Sequence, residues 1–93
     1  MVVGVLRLEL HIPMAQSLKD KRSVVKSLKD QARGRFNVAV AEVEANEKWQ
    51  RAVVGLATVG DDRRIVDESL RHVVEWVRAN PCVELIRAEQ EPW

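Results

Sequence analysis

An α+β fold of β-α-β-β-α-β order is predicted by three features of the 93-residue sequence. Apolar residues alternate in the first segment, recur every three or four positions in two later segments, and give way to turn or cap residues at the boundaries. From Val2 to Ile12, the apolar Leu6, Leu8, Leu10 and Ile12 alternate with Arg7, Glu9 and His11, as a strand with one buried face requires. Pro13 ends this strand. Ser17 offers a hydroxyl to the first free amides of a helix, with Asp20 in the place of a capping-box acid. The helix begins near Leu18, carries Leu18, Val24, Val25, Leu28 and Ala32 at helical spacing, and meets a natural stop at Gly34.

Phe36 to Ala45, rich in valine and alanine, reads as the second strand, with Asn46, Glu47 and Lys48 as a polar turn. Trp49 to Val59 reads as a third strand, apolar on both faces and closed by Gly60, and the short connection makes the pair a hairpin. Asp61 and Asp62 then cap a second helix whose stripe is Ile65, Val66, Leu70, Val73 and Val77. Asn80 and Pro81 end it, because proline disfavours helical geometry at the residue before it. Cys82 to Glu91 supplies the last strand, and 91–93 a short tail.

This order is the split βαβ arrangement of ferredoxin-like domains. Right-handed crossovers place strands one and three in the centre of a four-stranded antiparallel sheet, with both helices on one face. The whole chain, 1–93, is expected to form one domain. A chain of this length buries only roughly 60 to 65% of its unfolded surface, so self-association is an open route to further stability. The uncovered sheet face is expected to carry Val3, Val5, Arg7, Glu9, either Val53 or Val54, and part of the Glu42 and Glu44 set. Such a face suits either a second copy or cross-strand ion pairs in water.

Composition narrows the function classes. Charges interrupt every apolar run well before the roughly 18 residues of a membrane span. No basic segment or cleavage site marks a signal peptide, and one cysteine, Cys82, fits a reducing cytosol. Cys82 itself reads as a small buried hydrophobe. His11 and His72 lack a second ligand at H-x-x-x-H spacing, so neither a metal nor a cofactor is expected. Ser17, Ser23, Ser27 and Ser69 have no neighbouring base, which argues against an enzyme. Glu42 and Glu44, two apart on a strand, would share a face and could pair as carboxylates, though a solvated or ion-paired role is the plainer reading.

Net charge is only +1, but it is unevenly placed. Residues 17–35 hold seven basic side chains against Asp20 and Asp30, whereas 61–93 hold five arginines against eight acids. On a helical wheel Lys19, Arg22, Lys26, Lys29 and Arg33 fall within roughly 80°, forming a basic ridge beside the apolar stripe. An anionic partner such as an RNA backbone would relieve its self-repulsion; a solvated face answered by Asp30 and other acids is the plainer reading. Lys21 differs. It lies in the apolar arc, where its stem can pack while its ammonium reaches outward. The central strands carry no aromatics for stacking bases, and no G-x-x-G clamp occurs, so any RNA contact would fall to the ridge.

His11-Ile12-Pro13, the later run SLKDKRSVVKSLKDQARGRFNVAVAEV and the segment WQRAVVGLATV resemble the YlxP-like family, a small bacterial family of unknown function. The resemblance spans nearly the whole chain and implies a ferredoxin-like fold. It also implies a role near the ribosome or its assembly, because genes of the family often lie among those for transcription antitermination, translation initiation and ribosome maturation. No catalytic residues come with it. The matching SLKDKR segment opens the ridge at Lys19 and Arg22. The sequence is therefore read as a cytoplasmic, non-enzymatic module that contacts RNA or a ribosomal particle through Lys19, Arg22, Lys26, Lys29 and Arg33. The alternative is a homo-oligomer paired through its sheet face.

Overall fold

The computed structural model describes residues 1–44 and 47–93. Its elements are β1 (Val2–His11), α1 (Leu18–Arg35), β2 (Ala39–Glu44), β3 (Arg51–Gly60), α2 (Arg63–Arg78) and β4 (Glu84–Glu91). The strands form one antiparallel sheet in the order β2-β3-β1-β4. This is the ferredoxin-like α+β arrangement expected from the sequence. The polar turn expected at 46–48 falls partly outside the described residues.

The alternation in β1 positions everything else. Gly4, Leu6, Leu8 and Leu10 face the helices and are buried, while Val5, Arg7, Glu9 and His11 face the other way. α2 packs on β1, β3 and β4 through Val66, Leu70, Val73 and Val77, and α1 packs on β2 and β3 through Val25, Leu28 and Ala32. Both helix starts are capped as anticipated. Ser17 Oγ accepts from the Asp20 amide at 3.0 Å, and Asp62 Oδ1 accepts from the Arg64 amide at 2.8 Å. The box at Ser17 is displaced by one residue, since Asp20 Oδ2 accepts from the amide of Gln16 at 2.9 Å.

Several boundaries and burials depart from expectation for identifiable reasons. α1 runs past Gly34 to Arg35 and ends when Phe36 turns extended, its ring edge-on to Trp76 at 5.6 Å and 71°. β2 starts only at Ala39, because 36–38 form a turn in which the Val38 amide bonds to the Phe36 carbonyl. Trp49 and Gln50 lie in a turn ahead of β3, where the Gln50 side chain donates to the carbonyls of Pro13 and Ala15. Ile65 is exposed, one residue off the stripe that Val66 begins. Cys82 is exposed, contrary to its expected burial. Its amide donates to Asn80 Oδ1 in the turn after α2, and Val83 takes the buried position instead.

Two glycines give opposite predictions. A Cβ on Gly4 would stand 2.5 Å from Val66 Cγ1 and 2.8 Å from Leu70 Cδ1, so this strand is pressed against α2. Gly4→Ala should destabilise by about 1–3 kcal/mol through overpacking. A Cβ on Gly34 would meet nothing within 4 Å, on an exposed helical turn. Gly34→Ala should therefore stabilise, by up to about 1 kcal/mol. Urea unfolding of both variants checks the pair, and equal signs would contradict this packing.

Candidate nucleic-acid interface

Burial of Val25, Leu28 and Ala32 fixes the rotation of α1, and that rotation places the basic side chains. Arg22, Lys26, Lys29 and Arg33 follow at i, i+4, i+7 and i+11. With Val25, Asp30 and Glu42 they line a hollow of about 360 Å³ between α1 and the edge strand β2. Four of the five ridge residues are thus brought together. Lys19 is exposed on the first turn of the same helix but does not line the hollow. Lys21 departs from expectation: at 3% exposure its whole side chain is drawn inside, rather than reaching outward.

Internal bonds divide the ridge. Asp30 Oδ2 accepts from Lys26 Nζ at 3.0 Å, and its Oδ1 accepts from Arg33 Nη1 at 3.3 Å. Arg33 Nη2 also donates to the Val40 carbonyl at 2.8 Å, tying α1 to β2. Among the described residues, Lys19, Arg22 and Lys29 make no ion pair or side-chain hydrogen bond. Within the ridge, those three are the cations without such a partner. The hydrogen bond from Lys26, its charge, and those of Arg33 and Lys29 together hold the Asp30 carboxyl below its ordinary value.

Glu42 and Glu44 do not share a face, contrary to their spacing. β2 pairs Glu42 with Val54 but Glu44 with Val53, so Val43 is an extra residue in a β-bulge. Glu42 accordingly points to the helix side, into the hollow, and Glu44 to the open face. There Arg7 bridges Glu9 at 2.9 Å and Glu44 at 2.5 Å, while Arg51 reaches Glu9 at 3.2 Å. The hydrogen bond to Glu9 is the largest of the influences that raise the Arg7 pKa above its ordinary value, with Glu44 adding to it against some desolvation. Val53 lies within this network and is 0% exposed although it faces away from both helices.

The other candidate groups remain scattered. His11 Nδ1 lies 3.5 Å from Glu84, and His72 Nε2 lies 4.0 Å from Glu68 on the far side of α2's stripe. Among the described residues no three His, Cys, Asp or Glu side chains gather as metal ligands. Among the described residues no helix is long and apolar enough to cross a membrane. Sequence reasoning missed two features of this surface. The role of Glu42 depends on a bulge that has no sequence signature. The groove of about 480 Å³ between the helices, lined by Ser23, Ser27, Gln31 and Trp76, arises only when distant segments meet.

The molecule is thus a ferredoxin-like α+β domain with a basic first helix flanking an edge strand. A family model described as "Protein of unknown function (DUF503)" matches residues 3–90, and the chain belongs to that family. It is 31% identical over 83 residues to the uncharacterized protein YlxP of Bacillus subtilis (strain 168), covering 89% of this chain and 90% of that protein. The resemblance seen in the HIP and SLKDKR segments is therefore a family relationship.

A group with a depressed folded-state pKa contributes stability above its unfolded pKa and loses it as pH falls through the folded value. Asp30 should titrate below its ordinary 3.8, with its contribution present above that pH and lost below it. In Lys26→Met the value should move upward. Carboxyl NMR titration of both proteins checks this; an unchanged value in the variant would contradict the assigned cause.

Proposed function

We propose that this protein is a non-enzymatic, cytoplasmic binding module that holds an RNA backbone, free or within a ribosomal particle, along α1. The observation that carries the reading is the alignment of Lys19, Arg22, Lys26, Lys29 and Arg33 over four turns, about 21 Å at 1.5 Å per residue. Such a row offers successive cations to successive phosphates. Its ammonium and guanidinium groups hold anions by charge and hydrogen bonding, which is the chemistry of binding rather than bond-breaking.

The internal pairs refine the roles. Asp30 and the Val40 carbonyl pre-orient Lys26 and Arg33, so these two lose less side-chain freedom on meeting a phosphate. Lys19, Arg22 and Lys29 neutralise phosphates and so release the counterions condensed on them. Glu42 limits the field of the hollow and favours contact along the outer crest of the helix. Sequence discrimination is not expected, because phosphate contacts position a partner without reading bases.

Titration with a ribosomal RNA fragment at several salt concentrations tests the proposal. Each phosphate neutralised on a single strand contributes about −0.7 to the slope of log K against log salt. The combined variant Lys19→Glu, Arg22→Glu, Lys29→Glu should weaken binding and reduce that slope by about 2. Arg71→Glu, on the exposed side of α2, should leave both unchanged. Absence of affinity in the parent protein, or equal affinity in the triple variant, would overturn it.

A further inference from the structure

The sheet face opposite the helices is divided into an apolar and an ionic half. At one end lie Val3, Val5, Ala57 and Val59, with Glu91 at the β4 margin of the Val5 row, and they are joined by Val43, whose methyl occupies the space that a side chain at Gly55 would fill. Val43 is 56% and Val59 58% exposed. Ala39, Ala41 and Gly55 keep this half low and flat, so a second surface can approach closely. Towards the other end the pairing sets Glu44, Val53, Glu9 and Arg87 side by side in one row across β2, β3, β1 and β4.

We infer that this face binds the same face of a second copy of the chain about a two-fold axis running between the sheets, parallel to the strands. That operation keeps each row opposite its own copy but reverses the strand order, laying β2 over β4 and β3 over β1. Val59 then meets Val3 of the second copy, and Ala57 meets Val5. In the charged row Glu44 comes opposite Arg87, twice by symmetry. Isologous interfaces demand this kind of self-complementarity. The opposite choice of axis, perpendicular to the strands, would set Val3 and Val59 against the row of Arg51 and His11.

The composition of the face selects a second copy over other partners. Glu9, Glu44, Glu89 and Glu91 on this side repel nucleic acid, and Arg7, Arg51 and Arg87 among them are already shared with carboxylates. Val53 is sealed by the ionic network, so the ionic half can meet its copy as a satisfied polar surface while the apolar half supplies the driving force. Aligned sheets pack at about 10 Å, within reach of arginine and glutamate side chains. The pairing leaves α1 of each copy facing outward, so it is independent of the proposed RNA contact and gives a particle with two basic ridges.

Sedimentation velocity on the full chain across a concentration series tests the inference. The parent protein should sediment as a dimer. Val59→Glu, at a residue already exposed in the monomer, should weaken association by about 100-fold or more, because two unpaired carboxylates would be buried. Ile65→Glu, an equally exposed apolar site on α2, should leave the dimer intact. Circular dichroism confirms that each variant is folded. Arg87→Glu sets like charges opposite Glu44 and should also weaken the dimer. A parent protein that is monomeric throughout, or one weakened no more by Val59→Glu than by Ile65→Glu, would overturn the inference.

Discussion

The two-residue period of β1 is the constraint on which the structure rests. This strand is paired on both sides, so its register is fixed twice over, and its even positions bury Leu6, Leu8 and Leu10 beneath the helices. A slip of one residue would carry Arg7 and Glu9 into the core. The cost of burying those charges unpaired makes alternative registers inaccessible. The same alternation that hides three leucines therefore puts Arg7 and Glu9 on the open face, where they organise the ion pairs over Val53.

Two bulges then adjust the edges to that central strand. In β2 the extra residue is Val43, and in β4 the register skips Ile86 between the pairs Glu9 with Arg87 and Leu10 with Leu85. Both extra residues are exposed valine or isoleucine at edge strands. The β2 bulge has the larger consequence for function. It separates two glutamates that a regular strand would hold together, giving one to the hollow beside α1 and the other to Arg7. The charge balance of both faces is set by this single inserted position.

Most of the fold was legible because its signals are local. The alternation of β1, the caps at Ser17 and Asp62, and the stripe of α2 each depend on residues a few positions apart. The basic ridge was legible for the same reason, as was the capacity of Asp30 to pair with Lys26 and Arg33 at i+4 and i+3 spacing. Gly34, Cys82 and Glu42 misled because their placement depends on distant partners. Phe36 finds Trp76 and carries the helix past Gly34. Val83, rather than Cys82, meets the core after the Asn80 turn. Glu42 changes face through a pairing irregularity that only β3 can define.

The proposed RNA contact joins a locally legible helix to an edge strand whose geometry is not local. Backbone amide NMR with a short single-stranded ribosomal RNA tests that contact most directly, since it reports every surface at once. Large shifts are expected along α1 between Lys19 and Arg33 and at Glu42, with small ones along β1, β4 and α2. Shifts centred on Arg7, Glu9 and Arg87, or none along α1 under conditions of saturating RNA, would contradict it.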